Sequence, residues 1–153
     1  MRTIKFRGKK VTNGVWAYGS LVYLDENGAA IYVQTDNGSA KVMDLVYVDP
    51  DTVGQFTGFL DKNGKEIYEG DVLRSNEYPY SCIGDKERDN YFGLIEWNEN
   101  EAAFYIVTIK NPKSSVKGIS DGISDYISQS ALQDFEVIGN IHDDEWKQFR
   151  EHL

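Results

Sequence analysis

The stretch QFTGFLDKNGKEIYEGDVL, from Gln55 to Leu73, is the most patterned run in this chain of 153 residues. It places Asn63-Gly64 between two segments of strand character, and a second break follows at Gly70-Asp71. An Asn-Gly pair favours a hairpin turn of type I′, because both central residues of that turn need positive φ. The stretch therefore predicts a hairpin and a second tight corner, with Asn63, Gly64 and Gly70 as structural turn residues.

The Asn-Gly pair recurs at three other places, in TNGV, ENGA and DNGS. Each copy lies between segments such as VWAYGSLVYL, AAIYVQT and AKVMDLVYV, whose β-branched and aromatic residues are typical of strands. Strands joined by such turns are antiparallel neighbours. FGLIEWNENEAAFYIVTI predicts one more hairpin and DFEVIGNI a final strand. The chain is thus expected to be a mainly-β meander of antiparallel hairpins, in one domain over residues 1–153.

Two segments lack this pattern and are expected to be irregular surface segments. Residues 75–90 are polar and include Pro79. Residues 111–130 are rich in serine, above all from 114 to 130, and are interpreted as a loop with room for one turn of helix.

The C-terminal residues HDDEWKQFREHL predict a short α-helix, since Asp143 or Asp144 can cap its start. Trp146, Phe149 and Leu153 would then lie on one face of the helix. This apolar stripe is a candidate surface for a protein partner or for self-association.

The formal net charge is -9, yet the opening segment is basic. Its basic residues are Arg2, Lys5, Arg7, Lys9 and Lys10. One interpretation is a basic stripe that contacts single-stranded nucleic acid, with aromatic residues on the next strand. The other is an edge strand that charged residues protect from pairing. The acidic balance of the whole chain favours the second interpretation, because phosphate contacts need clustered cations.

Metal sites find little support in the sequence. Counted from Asp61, Gly64 is fourth and Val72 twelfth, whereas an EF-hand loop needs glycine sixth and glutamate twelfth. Cys82, His142 and His152 are too few and too far apart for a standard zinc spacing. The sequence therefore predicts neither a metal nor any other cofactor.

Catalytic motifs are likewise missing from the sequence. It contains no Gly-x-Ser-x-Gly elbow and no phosphate-binding glycine loop. Carboxylate pairs, such as Glu69 with Asp71 or Glu99 with Glu101, could serve acid–base chemistry or bind magnesium. Among 25 acidic residues such pairs arise by chance, so no catalytic residue is predicted.

The cellular setting follows from two observations. Cys82 is the single cysteine, so the chain makes no internal disulfide and suits a reducing compartment. The basic start is not followed by an apolar run, and no stretch approaches the ~20 apolar residues that cross a bilayer. A cytoplasmic protein without a membrane partner is expected.

The central run TVGQFTGFLDKNGKEIYEGDVL resembles the signature of the YopX family of small phage and prophage proteins. The resemblance extends to IKFRG near the start and FEVIGNIHDD near the end, and it leaves the two irregular segments unmatched. It implies a small SH3-like barrel and a phage or prophage origin. It implies no catalytic residues, because the family carries no established activity.

Three functions follow as expectations. The leading one is a non-enzymatic accessory protein that binds another protein. The alternative is a nucleic-acid-binding module that uses the basic N-terminal strand. A metal-dependent enzyme with a carboxylate site is the weakest of the three.

Overall fold

The computed structural model describes residues 1–25, 28–36, 38, 41–75, 91–109 and 124–146. Most of these residues lie in β-strands, and the strand pairings given below are all antiparallel. The mainly-β, antiparallel prediction is confirmed. The Cα positions form two compact units, Met1–Gly58 and Phe59–Leu153. The single domain over residues 1–153 and the closed SH3-like barrel stay predictions.

The first unit is an antiparallel sheet in the order β4-β3-β2-β1-β5. Its strands are β1 (Phe6–Lys9), β2 (Trp16–Asp25), β3 (Gly28–Asp36), β4 (Lys41–Val48) and β5 (Gly54–Leu60), whose last two residues belong to the second unit. A short 3₁₀ helix, Pro50–Thr52, precedes β5. Strand β4 therefore stands at one edge of this sheet, and β1 lies between β2 and β5.

The two faces of the first sheet follow from its register. Residues that pair across strands share a face, and neighbours along a strand alternate. One face carries the buried core of the unit, formed by Ala17, Ala29, Ile31 and Val48. The β3–β4 ladder runs without a shift from Ala29↔Val48 to Asp36↔Lys41. An unbroken ladder fixes which side chains of β4 lie on the opposite face.

The second unit has a five-stranded sheet in the order β10-β9-β8-β7-β11. Its strands are β6 (Glu66–Tyr68), which lies outside this order, β7 (Asp71–Ser75), β8 (Tyr91–Asn98), β9 (Ala103–Thr108), β10 (Ser124–Tyr126) and β11 (Glu136–Asn140). The largest core cluster contains Ile67, Leu73, Ile95, Ile106, Leu132 and Phe135. The register places Leu73, Ile95 and Ile106 on one face of this sheet, and the other three residues pack against them.

Residues 111–130 differ in part from the loop that the sequence predicts. Ser124–Tyr126 forms β10, where Asp125 pairs with Ile106, although this serine-rich segment has no alternating apolar pattern. Helix α1 spans Gln129–Leu132, and the hydroxyl of its N-cap Ser128 accepts a hydrogen bond from Ala131 N at 3.1 Å. Residues 76–90 and 110–123 lie outside the described residues.

The C-terminal prediction is only partly within the described chain. Residues 141–146 adopt turns, and Trp146 N donates to Asp143 O at 3.0 Å. The remaining predicted helical residues, including Phe149 and Leu153, lie outside the described residues. The described part of the chain contains one α-helix, α1.

Candidate functional site

The carboxylate of Asp61, in the central motif, is engaged by the backbone on both oxygens. Its Oδ1 accepts hydrogen bonds from the N–H groups of Asn63 at 2.8 Å and Lys65 at 2.9 Å. Its Oδ2 accepts from Val137 N at 3.0 Å, and Asp61 is 6% exposed. The side chain therefore closes its own turn and joins the hairpin to β11.

The turn itself is not of type I′, so that part of the prediction is wrong here. Asp61 N donates to Lys65 O at 2.8 Å, which leaves three residues in the loop. Among the described non-glycine residues only Ala102 has positive φ, so Asn63 does not, whereas Gly64 has φ 80°. A three-residue loop needs the left-handed conformation at one position, and glycine takes it. Gly14 has φ 69°, and Asn13 before it is not left-handed either.

The second corner of the motif is held together in the same way. Asp71 is 1% exposed; its Oδ2 accepts from Tyr68 N at 2.8 Å and its Oδ1 from Asn140 Nδ2 at 3.3 Å. Gly70, at φ 79°, donates its N–H to Ile95 O and accepts from Ile141 N, both at 2.8 Å. Both aspartates of the motif thus serve the fold.

One ion-pair cluster lies beside the motif hairpin. The carboxylate of Glu136 accepts from Arg74 Nε at 2.7 Å, is also bound by the second guanidinium nitrogen, and lies 3.1 Å from Lys62 Nζ. These hydrogen bonds, from Arg74 first and then Lys62, lower the pKa of Glu136. Arg74 and Lys62 are exposed, so the cluster is a solvated surface contact.

An open cleft of about 430 Å³ lies on the β8–β9 hairpin. Glu96 and Tyr105, which pair across the two strands, line it. Burial raises the pKa of Glu96. Burial, followed by the hydrogen bond to Glu101, raises the pKa of Tyr105 to about 12. The phenol of Tyr105 is therefore held as a donor to Glu101, at 2.7 Å, and cannot act as a base near neutral pH.

The carboxylates of the described residues do not assemble a metal centre. No group of three or more His, Cys, Asp or Glu side chains able to hold an ion occurs in these ranges. Cys82 and His152 lie outside them, and His142 is half-buried at the turn after β11, where its N–H donates to Asn140 Oδ1 at 2.9 Å.

Two of the basic N-terminal residues, Arg7 and Lys9, lie on β1, which is an interior strand, so the interpretation of β1 as an edge strand is wrong. Arg7 pairs with Tyr18 of β2 on one side and with Gly54 of β5 on the other. Its guanidinium lies 4.5 Å from the centre of the Trp16 ring, and Lys9 Nζ lies 5.2 Å from the same ring. The sheet order could not be deduced from local patterning, because it depends on the distant strand β5.

The other basic residues are dispersed. Lys5 Nζ lies 5.5 Å from the centre of the Phe56 ring, on the same face of the sheet as Arg7. Arg2 is exposed and Lys10 half-buried. The structure thus brings Arg7 and Lys9 together at Trp16 and leaves Arg2 and Lys10 elsewhere.

The charge of the chain is divided unequally between the units. Residues 1–58 carry six basic and six acidic side chains, and residues 59–153 carry ten and nineteen. The formal charge of -9 therefore belongs to the second unit.

Trp146 packs within its own unit. Its ring lies 6.1 Å from that of Phe92 and contacts the cluster of Val72, Leu94 and Ile141. A Cβ on Gly139 would stand 2.5 Å from the indole Nε1, so glycine at 139 makes room for this ring. Trp146, the first residue of the apolar stripe predicted to bind a partner, thus packs within its own unit instead.

A group of exposed apolar side chains lies on the non-core face of the first sheet. We name it the tyrosine face, and its exposed members are Tyr18 (44%), Tyr32 (39%), Met43 (47%), Leu45 (41%) and Tyr47 (58%). The pairs Tyr32↔Leu45, Tyr47↔Ala30 and Tyr18↔Arg7 place them on one side of β2, β3 and β4. Sequence reasoning missed this surface, although the alternation of Met43, Leu45 and Tyr47 in VMDLVYV was its signal.

No helix of the described ranges combines the length and the apolar character that a membrane span requires.

Comparisons with known proteins agree with this architecture. The family model described as "YopX protein" matches residues 5–145. No curated protein sequence matches the chain. Among solved structures, the crystal structure of protein EF1440 from Enterococcus faecalis is similar, with 17% sequence identity and a TM-score of 0.54. The match covers 95% of this chain and 97% of that one, and at this identity it shows a shared fold.

Proposed function

The chain belongs to the YopX family, and from this premise we propose that it is a non-enzymatic accessory protein of a phage or prophage. Its proposed activity is to bind another protein in the cytoplasm. The observation that carries this proposal is the tyrosine face of the first unit.

The tyrosine face has the composition of a protein-binding surface. Tyrosine and methionine are enriched at protein interfaces, since they offer large contact areas, and tyrosine adds a polar group. Large exposed apolar patches on a folded protein mark interaction sites. Three strands present these side chains together, whereas the core of the unit lies on the other face.

The central motif supports a binding role over a catalytic one. Asp61 and Asp71 are the buried acids of the described residues, and each accepts hydrogen bonds that hold the fold together. A general base needs a lone pair directed at a substrate. These carboxylates instead direct their oxygens at backbone and amide groups of their own unit.

Affinity capture from lysogenic cells tests the proposal. The double variant Tyr32→Ala/Tyr47→Ala should lose a partner that the parent chain retains, because it removes two large contacts from the face. Tyr23→Ala is the matched control: Tyr23 is 75% exposed but pairs with Ala29 on the core side of the sheet. Failure of the parent chain to retain any partner, together with substrate turnover by the purified protein, would defeat the proposal.

Nucleic-acid binding is the second candidate, favoured by the charge distribution. The first unit is formally neutral, and its basic residues Lys5, Arg7 and Lys9 lie on the face that also carries Tyr18. Single-stranded DNA and RNA should then bind at low salt, with affinity falling as salt rises. Lys5→Gln/Lys9→Gln would weaken binding and flatten the salt dependence, and no binding at low salt removes this candidate.

A further inference from the structure

Within the described residues, strand β4 presents an edge that no other strand covers from Lys41 to Val46. It pairs with β3 along its whole length from Lys41 to Val48, and in the described part of the chain it ends the strand order of the first unit. Proteins usually protect such edges with proline, bulges, very short strands or several charges. Strand β4 has eight residues with no proline and no shift of register, and its charged residues are Lys41 and Asp44.

The backbone groups that face outward can be identified from one hydrogen bond. Tyr47 O accepts from Val11 N at 3.2 Å, and Val11 is not on β3, so the backbone of Tyr47 points away from β3. Alternate residues of an antiparallel strand point the same way, so Met43 and Leu45 also direct their N–H and C=O outward. The contact of Tyr47 with Val11 and the bridge between Val48 and Lys10 close one end of the edge. Among the described residues, nothing pairs with the outer side of Lys41–Val46.

The side chains along the open edge are apolar on both faces. Met43 and Leu45 belong to the tyrosine face, and Val42 is 37% exposed on the other face. A strand added here would gain backbone hydrogen bonds and apolar contacts at alternate positions, which is the usual mode of β-strand addition.

A second copy of this chain fits the edge poorly. Within the open residues, a symmetric antiparallel pair centred on Asp44 joins residues 42–46 and sets two Asp44 carboxylates opposite each other. Like charges directly opposite are destabilising. Centring on Met43 pairs residues 41–45, but it sets the charged Asp44 opposite Val42 and the charged Lys41 opposite Leu45. Centring on Leu45 brings the partner strand against Val11.

We propose that the outer edge of β4 takes up an extended segment of another protein as an additional strand, and that Asp44 keeps a second copy from occupying it. The segment carries apolar residues opposite Met43 and Leu45 and a basic residue opposite Asp44. This inference rests on the partner-binding role proposed above and specifies its mode.

A synthetic peptide tests the edge without the natural partner. The probe is the capped, fluorescent peptide Thr-Val-Ile-Lys-Val-Val-Glu, written antiparallel to β4 so that its lysine faces Asp44 and its glutamate faces Lys41. We expect saturable binding by fluorescence anisotropy, weakened at least tenfold when aspartate replaces the lysine. No binding up to about 1 mM, the level of a very weak contact, would overturn the inference.

Backbone methylation distinguishes strand addition from loose apolar contact. N-methyl groups on the isoleucine and the second valine remove donors that face β4, and binding should fall at least tenfold. N-methyl groups on the first and third valines face away from β4 and should leave binding intact. Equal binding of the two methylated peptides would overturn strand addition.

Leu45→Pro tests the edge from the protein side. It removes an outward N–H and leaves the β3 ladder intact, so the variant should keep its circular dichroism spectrum while peptide binding is lost. If it still captures the partner that the parent chain captures, the partner-binding role stands and the edge inference fails. If the parent chain captures no partner although the peptide binds, the proposed function fails instead.

The role of Asp44 has its own test. Asp44→Val should self-associate in sedimentation velocity experiments, and Asp44→Val/Leu45→Pro should revert to the parent behaviour. Asp51→Val, at an exposed position off the strand, is the control for a general rise in surface hydrophobicity and should behave as the parent. Identical sedimentation of Asp44→Val and the parent chain would overturn the part of the proposal that concerns Asp44.

Discussion

The motif hairpin of the second unit and the edge strand β4 of the first contain opposite kinds of residue, and their roles are the reverse of what those residues suggest. The hairpin contains acids, an amide and glycines, residues that are typical of metal-binding or catalytic sites. In the structure Asp61 is surrounded by backbone donors. Strand β4 looks like core, yet Leu45 and Tyr47 are exposed. A polar side chain that hydrogen-bonds within its own unit therefore serves stability, and an apolar side chain left exposed is available to a partner.

The comparison predicts that the motif governs stability and β4 governs binding. Variants in the hairpin should lower the free energy of unfolding and leave partner capture unchanged wherever the chain is folded. Variants on the outer side of β4 should leave the free energy of unfolding unchanged and reduce partner capture.

Asp61→Ala should have the largest effect on stability. Three backbone N–H groups lose their acceptor, one of them on Val137 of β11, and an unsatisfied buried donor is costly. We expect a loss of about 3 kcal/mol in the free energy of unfolding, measured by urea denaturation. Asp51→Ala, an exposed aspartate, should stay within about 0.5 kcal/mol of the parent. A loss below about 1 kcal/mol for Asp61→Ala would contradict the claim that the motif hairpin governs stability.

Gly64→Ala should have the next largest effect. Gly64 has φ 80° and no atom within 4 Å of an added Cβ, so the cost is conformational alone. An L-residue in this region loses about 1 kcal/mol relative to glycine. Gly14→Ala, at φ 69° with equally open surroundings, is the matched control in the first unit. Thermal denaturation should show similar losses of stability for the two variants. A larger loss for Gly64→Ala would show that another interaction, besides the turn geometry, requires glycine at 64.

Glu136→Gln should have a smaller effect that depends on pH. Hydrogen bonds from Arg74 and Lys62 place the folded pKa of Glu136 below the model-peptide value of 4.5. Its contribution to stability is therefore present above pH 4.5 and is lost as the pH falls through the folded pKa. We expect the parent to melt above Glu136→Gln at pH 7, and the two to converge in acid.

Glu96→Gln is the control with the opposite sign. Burial raises the pKa of Glu96 in the folded chain, so ionisation near neutral pH opposes folding. Glu96→Gln should therefore melt above the parent at pH 7 and match it well below pH 4.5. The same sign for both variants would contradict these assignments.

Tyr47→Ala should change stability least. The side chain is 58% exposed, so the free energy of unfolding should stay within about 0.5 kcal/mol of the parent. Partner capture should nevertheless fall, which sharpens the contrast with Asp61→Ala. A loss of stability comparable to that of Asp61→Ala would mean that Tyr47 serves the fold of its own unit.

The strand content of this fold was predictable because it depends on local patterns. Alternation in VWAYGSLVYL and AKVMDLVYV predicts β2 and β4, and the Asn-Gly pairs predict antiparallel neighbours. The turn type was not predictable from the dipeptide, since the number of residues in the loop decides it. The carboxylate of Asp61 sets that number by binding Lys65 N.

The candidate site was less predictable, because exposure depends on which face of a sheet the rest of its unit covers. Leu45 and Leu73 both lie in alternating apolar strands, yet Leu73 is buried and Leu45 is not. The difference arises because Leu73 lies on a face that carries the core of its unit, whereas Leu45 lies on the non-core face of the first sheet. The position of β1 between β2 and β5 also depends on distant partners, since Arg7 pairs with Gly54 and Phe6 with Gln55.

The three tryptophans of the chain lie in three different surroundings. Trp16 is stacked by cations in the first unit, Trp97 is edge-on to Phe104 and 39% exposed, and Trp146 is fitted against Gly139. Single-tryptophan versions of the protein would therefore emit at separate wavelengths. Fluorescence could then follow the melting of each unit on its own, without any label.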